Sequence, residues 1–198
     1  MKLATLKQDG YRDGLLVVVS RDLARAVDAA AIAPTLQTAL EQWERAAPAL
    51  RALAAALEAG RAAGAFAFDP AQAMAPLPRT HQFVDASAFL NHGSIMERAF
   101  NLTVQRPDGV PILVQRQGDD LRGPCDDYAF ASEADQCDYE GEFAVVVGDL
   151  AMGSSAARCA EAIRLVTILD DVSMRRFVVP ELQMGFGFIR AKPATVFA

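Results

Sequence analysis

The chain has 198 residues, 52% of them hydrophobic, enough for one globular core plus a smaller appendage that together bury roughly 70% of the unfolded surface. Its 19 basic and 25 acidic residues give a net charge of -6, which excludes a protein that tracks a phosphate backbone, so no nucleic-acid partner is expected. Three cysteines, Cys125, Cys137 and Cys159, are an odd number without close pairs, which excludes a disulfide framework or a zinc knuckle and points to reduced thiols in a cytoplasm.

The N-terminal Met1-Lys2-Leu3-Ala4-Thr5-Leu6 soon meets Lys7, Asp9 and Arg12, so it lacks the apolar core of a secretory signal. No apolar run approaches the roughly 18 residues of a membrane span. A soluble, intracellular protein without a membrane partner is the expectation. Apolar stretches at 2–6 and 15–19, separated by Asp9-Gly10 and Asp13-Gly14, predict a β hairpin. From Ser20 the pattern changes. Leu36, Leu40 and Trp43, then Leu50, Leu53 and Leu57, recur at helical spacing, which predicts two amphipathic helices divided by Pro48, the second ending near Gly60.

Pro70, Pro76 and Pro78 mark a boundary, after which aromatic and β-branched residues become more frequent. The predicted domains are 1–75, a small N-terminal unit of hairpin plus helices, and 76–198. Within the second, Phe143–Val147 and Leu165–Leu169 read as strands joined by a helix capped near Ser154 or Ser155. The fold class is therefore α+β.

Three acidic features call for a chemical reason. In Asp138-Tyr139-Glu140-Gly141-Glu142-Phe143, two carboxylates stand two residues apart at the start of an apolar strand, so strand alternation puts Glu140 and Glu142 on one face. A hard divalent cation would relieve their repulsion and lost hydration. A solvated strand end fits equally well. Asp170-Asp171 closes the next apolar strand and reads either as a site at a rigid strand end or as an ordinary turn. Arg175 nearby would clamp a substrate carboxylate or pair with a surface acid. Third, Asp85 precedes His92 by seven residues in Phe83-Val84-Asp85-Ala86-Ser87-Ala88-Phe89-Leu90-Asn91-His92. His92 is a candidate general base, since imidazole titrates near neutrality, and a structural histidine is the alternative. His81 has no such context and reads as a surface residue.

Asp-x6-His, then Glu-x-Glu, then Asp-x3-Arg with a later Lys-Pro, in this order, resemble the fumarylacetoacetate hydrolase family from about residue 80 onward, and the first 75 residues resemble the small N-terminal domain of many bacterial members. The resemblance implies a mixed β-sandwich roll, here incomplete, and a Mg, Mn or Ca ion held by Glu140, Glu142 and Asp171, with Asp85 added in some members. Mg is the first expectation. It implies His92 as general base, Lys192 in Gly187-Phe188-Ile189-Arg190-Ala191-Lys192-Pro193 as the group that polarises a substrate oxygen, and Arg175 as a substrate contact. Phe186, Phe188 and Phe197 around Lys192 point to a partly buried setting.

The implied reaction is metal-dependent hydrolysis of a carbon–carbon bond in an acylpyruvate or related β-diketo acid, through an enolate. Decarboxylation, hydration and isomerisation of keto acids share that intermediate. The implied partners are a small keto acid and either a second copy of the chain or a missing C-terminal half, because the sequence stops within an apparent strand at Thr195-Val196-Phe197-Ala198. Departures from the pattern fall at Val114-Gln115-Arg116-Gln117-Gly118, at Val178, and after His92, where Gly93-Ser94-Ile95-Met96 offers no acid to orient the imidazole. A catalytically silent metal-binding module that associates with another chain is the competing expectation.

Overall fold

A computed structural model describes residues 1–101, 103 and 111–198. The predicted hairpin is formed by β1 (Lys2–Gln8) and β2 (Tyr11–Val19), turning at Asp9-Gly10 with Gly10 at φ 79°, a left-handed conformation that glycine adopts without steric cost. Two short strands extend it, β3 (Arg25–Asp28) and, much later in the chain, β4 (Phe66–Ala67). The sheet is antiparallel in the order β1-β2-β3-β4. The helices α1 (Leu36–Glu41) and α2 (Trp43–Glu58) cover one face. There Leu16, Val18 and Val27 pack with Leu36, Ala39, Leu50 and Leu57. Val17, Val19 and Ala26 fill a second cluster with Leu6 and Phe68. Because β2 is buried on both faces, its sequence Leu15-Leu16-Val17-Val18-Val19 is continuously apolar rather than alternating.

Pro48 does not divide the helices as the sequence predicts. The break falls at Gln42, and Pro48 lies inside α2. The missing N–H costs one helical hydrogen bond. Burial of Trp43, Ala46, Ala47 and Leu50 on both sides of it holds the helix through; a large apolar side chain such as Leu50 contributes about 1.5–3 kcal/mol. The predicted end of the helix holds, with Gly60 at φ 69° just beyond.

After a short 3-10 turn at Pro70–Gln72 the chain enters the second half. Its strands and helices, in order, are β5 (Phe83–Ser87), α3 (Leu90–Phe100), β6 (Ile112–Arg116), β7 (Leu121–Arg122), β8 (Cys137–Asp138), β9 (Gly141–Val147), α4 (Ala156–Glu161), β10 (Ile163–Asp170), β11 (Ser173–Met174), α5 (Arg175–Met184) and β12 (Thr195–Phe197). The strands β9 and β10 pair antiparallel, and the Ser155 hydroxyl caps α4 by accepting from the Arg158 N–H, both as expected. The main sheet runs β7-β12-β10-β9 and is mixed, since β12 pairs with β7 in parallel. The pairs β5-β6 and β8-β11 form two further antiparallel ribbons. The architecture is α+β with open sheets.

The halves are joined where Thr5 Oγ1 donates to the Pro76 carbonyl at 2.6 Å and Leu165 packs on the first core. On the main sheet one face is left bare: Phe143 faces Ile168, Val145 faces Val166 and Val147 faces Ile163, and all six side chains are exposed. Among the described residues no helix is long and apolar enough to cross a membrane.

Candidate metal and active site

Several parts of the chain converge below the β9–β10 hairpin. On β5, Asp85 points inward, as strand alternation requires, and across the ribbon Phe83 pairs with Arg116 of β6. At the mouth of the hairpin the backbone is pinned twice. The Asp171 N–H donates to the Glu140 carbonyl at 2.9 Å, and the Asp170 carboxylate accepts the Glu140 N–H at 2.9 Å. Asp170 thus serves the turn, while Asp171 turns inward and is buried. The result is that Asp85, Glu142 and Asp171 each present a carboxylate oxygen, all within 4.8 Å of one another.

Glu140 is brought to the same place with different partners. Its Oε1 lies 3.0 Å from Lys192 Nζ and accepts from the Arg175 guanidinium, and its Oε2 is 3.8 Å from His92 Nε2. Lys192, also buried, donates to Asp171 Oδ2 at 2.7 Å and to Ser173 Oγ at 2.6 Å. The Ser173 hydroxyl is 3.0 Å from Glu140 Oε1 and 2.9 Å from the Asp171 carbonyl, one of which takes its proton. Arg175 holds Asp138 through Nε at 2.9 Å. Buried Arg116 pairs with Asp171 through Nη1, which also lies 3.6 Å from Asp85 Oδ2.

These contacts sort the acids electrostatically. Burial pushes the Glu140 carboxyl up, but the charges and hydrogen bonds of Lys192 and Arg175 outweigh it and leave the group below its ordinary range. Glu142 goes the other way. Burial, then repulsion from Asp85, Asp171 and Glu140, raise it to about 7, and its carboxylate makes no hydrogen bond or ion pair with any described residue. Burial and Asp171 raise Asp85 as well, against the pull of Arg116 and Lys192. A partly buried carboxylate left without a cation, beside two others and with no nitrogen or sulfur donor among them, suits a hard divalent ion.

The loop carrying Lys192 is fixed by a residue with no sequence signature. Glu181 of α5 is buried and accepts the backbone N–H groups of Ile189, Arg190 and Ala191 at 3.0, 2.8 and 3.1 Å. Those bonds outweigh the burial that would raise its carboxyl and hold it low. Beside this loop a cavity of 350 Å³ is lined by Val114, Gln115, Glu181, Leu182, Phe186 and Phe188, among others. None of the clustered acids lines it.

The structure therefore brings together Asp85, Glu140, Glu142, Asp171, Lys192 and Arg175, with His92 at the margin on the third residue of α3 and its side chain 44% exposed. Glu140, from far along the sequence, comes to 3.8 Å from the His92 imidazole, beyond hydrogen-bond distance. The phenylalanine setting expected for Lys192 differs in detail: Phe197 is buried but Phe186 is 98% exposed, while Lys192 itself is buried and paired with Glu140 and Asp171. Arg116, Ser173, Asp138 and Glu181 were not singled out as site residues by the sequence, and Val178 is buried in α5.

Residues 1–79 match the model for fumarylacetoacetase N-terminal domain 2, and residues 82–198 match that for the fumarylacetoacetate (FAA) hydrolase C-terminal domain. A crystal structure of a candidate HpcE protein from Mycobacterium smegmatis superposes with a TM-score of 0.64 at 19% identity, covering 100% of this chain and 64% of that one. This chain thus spans less than two thirds of that protein's length. A search of curated proteins gives no match. With the C-terminal model alone covering more than half of the residues, the chain belongs to the fumarylacetoacetate hydrolase family.

Proposed function

We propose that this chain carries the metal-binding centre of an enzyme that hydrolyses a carbon–carbon bond in an acylpyruvate or a related β-diketo acid. The observation that carries the reading is the convergence of Asp85, Glu142 and Asp171 within 4.8 Å beside the buried ammonium of Lys192. Those three carboxylates, with Glu140 adjoining, would hold a divalent cation, Mg first by the hardness of the oxygen donor set. Such an ion supplies Lewis-acid polarisation of the substrate oxygens.

The protein's own residues do the rest. An ammonium has three donors, and Lys192 directs its donors at Asp171, Ser173 and Glu140. Lys192 is thereby aimed, and polarises a substrate oxygen once a carboxylate turns from it. Arg175, anchored by Asp138, would meet a substrate carboxylate once Glu140 turns from its Nη1. His92 is open to solvent and close to Glu140, which suits it to take a proton from water at Nε2. The 350 Å³ cavity beside the Lys192 loop falls in the size range of small-molecule sites, about 300–1,000 Å³, and would receive the acyl tail. The bare apolar face of β9 and β10 would pair with a second copy of the chain.

The test is loss of ultraviolet absorbance from a panel of acylpyruvates with purified protein, with and without Mg or Mn. Metal-dependent loss is expected, and its absence from well-folded protein would overturn the enzymatic reading. A second reading, a silent metal-binding module, draws on the engagement of both Lys192 and Arg175 by protein carboxylates. It predicts ion binding without turnover.

A further inference from the structure

Among the described residues, Arg116 is the one buried cation of the cluster to which the proposed chemistry assigns no task. It is 5% exposed, and its guanidinium carbon sits 5.9 Å from the centre of the Phe83 ring, directly across the β5-β6 ribbon. From that seat Nη1 reaches Asp171 and lies 3.6 Å from Asp85 Oδ2, while Nη2 is 3.5 Å from the Lys192 carbonyl. Asp171 and Asp85 are two of the three acids whose oxygens converge. The guanidinium therefore draws on the same oxygens that a divalent ion would use.

Charge balance makes this a competition. Among the described residues Lys192 is shared by Asp171 and Glu140, and Arg175 by Glu140 and Asp138, so the acids of the centre outnumber these two cations. Arg116 adds a further positive charge from inside the fold. Unlike an ion it cannot dissociate, because it is part of the chain, its guanidinium lies over the Phe83 ring and its strand is paired with β5 along its length. Removing one partner of a buried ion pair leaves an uncompensated charge, so an ion that displaces Arg116 must also give the guanidinium a new place.

We infer that Arg116 is a built-in counter-cation that competes with the divalent ion for Asp171 and Asp85 and so sets the metal affinity of the centre. It acts through those carboxylates and is a positioning residue, not a catalytic one. The inference rests on the metal-site reading above and goes beyond it by naming what tunes that site.

The test is calorimetric titration of Mn into metal-free wild-type protein, Arg116→Gln and Arg116→Lys, with thermal unfolding recorded with and without Mn. Arg116→Gln should bind Mn at least about tenfold more tightly, equivalent to about 1.4 kcal/mol. It should also melt lower than wild type without the ion and gain more from it. Arg116→Lys, which keeps the charge, should gain less affinity than Arg116→Gln. Unchanged or weaker binding by Arg116→Gln overturns the inference, as does an equal gain in both variants. A glutamine variant that is unfolded without Mn and folded with it supports the inference; one unfolded in both conditions overturns it. If neither wild type nor variant binds Mn, the metal reading itself falls, whereas binding that is indifferent to Arg116 sinks only this inference.

Discussion

Glu142 is the residue on which the electrostatics of the centre turn. Its carboxyl is raised from 4.5 to about 7, first by burial and then by Asp85, Asp171 and Glu140, so in the metal-free protein the folded state holds its proton more tightly than the unfolded chain. Such a group stabilises the fold fully below its unfolded pKa, and the contribution is lost as pH rises through the folded value. Metal-free wild type should therefore lose stability relative to Glu142→Gln as pH rises between about 4.5 and 7. The glutamine cannot ionise and escapes that loss. Chemical denaturation of both proteins across this range checks it, and a constant difference between them would count against the burial and repulsion described. Glu140 differs because Lys192 and Arg175 face it directly, which is why two carboxylates only two residues apart titrate in opposite directions.

At the scale of elements, the β9–β10 pair both builds the site and leaves one side open. The face carrying Glu142 turns toward the acids, and the other exposes Phe143, Val145, Val147, Ile163, Val166 and Ile168 in directly opposed pairs. No charged side chain interrupts those pairs, and β9 is the edge of its sheet. Contiguous exposed apolar surface of this kind marks an association site. Wild-type protein should accordingly self-associate on dilution series in sedimentation velocity, and Val145→Lys together with Val166→Lys should shift it to monomer. A wild type that stays monomeric at all concentrations would refute the pairing proposed for this face.

The same elements indicate what the sequence could reveal. The β1-β2 hairpin, β9, β10 and the Ser155 cap are legible because turn residues, β-branched runs and a capping hydroxyl act over a few neighbouring positions. The short strands β3 and β4 are not, since two to four residues carry no period and their pairing depends on partners brought in by the helices between them. Pro48 misled because packing on both of its flanks overrides a local penalty.

Over the whole molecule, the centre is assembled from β5, β6, the β9–β10 hairpin, α5 and the loop before β12. The acids, Lys192 and Arg175 could be found because their order along the chain resembles a family pattern. Arg116 and Glu181 could not: Arg116 meets Asp171 across 55 positions, and Glu181 spends its carboxylate on backbone N–H groups, which leave no trace in side-chain identity. The same long-range assembly brings Glu140, from the link between β8 and β9, to 3.8 Å from His92 on α3.

The central claim is that this assembly is a divalent-cation centre, and electron paramagnetic resonance of Mn titrated into metal-free protein tests it most directly. One tightly bound Mn per wild-type chain is predicted, with affinity weakened by on the order of tenfold or more in Glu142→Gln through loss of a charged oxygen ligand. No bound Mn, or binding that Glu142→Gln leaves unchanged, would contradict it.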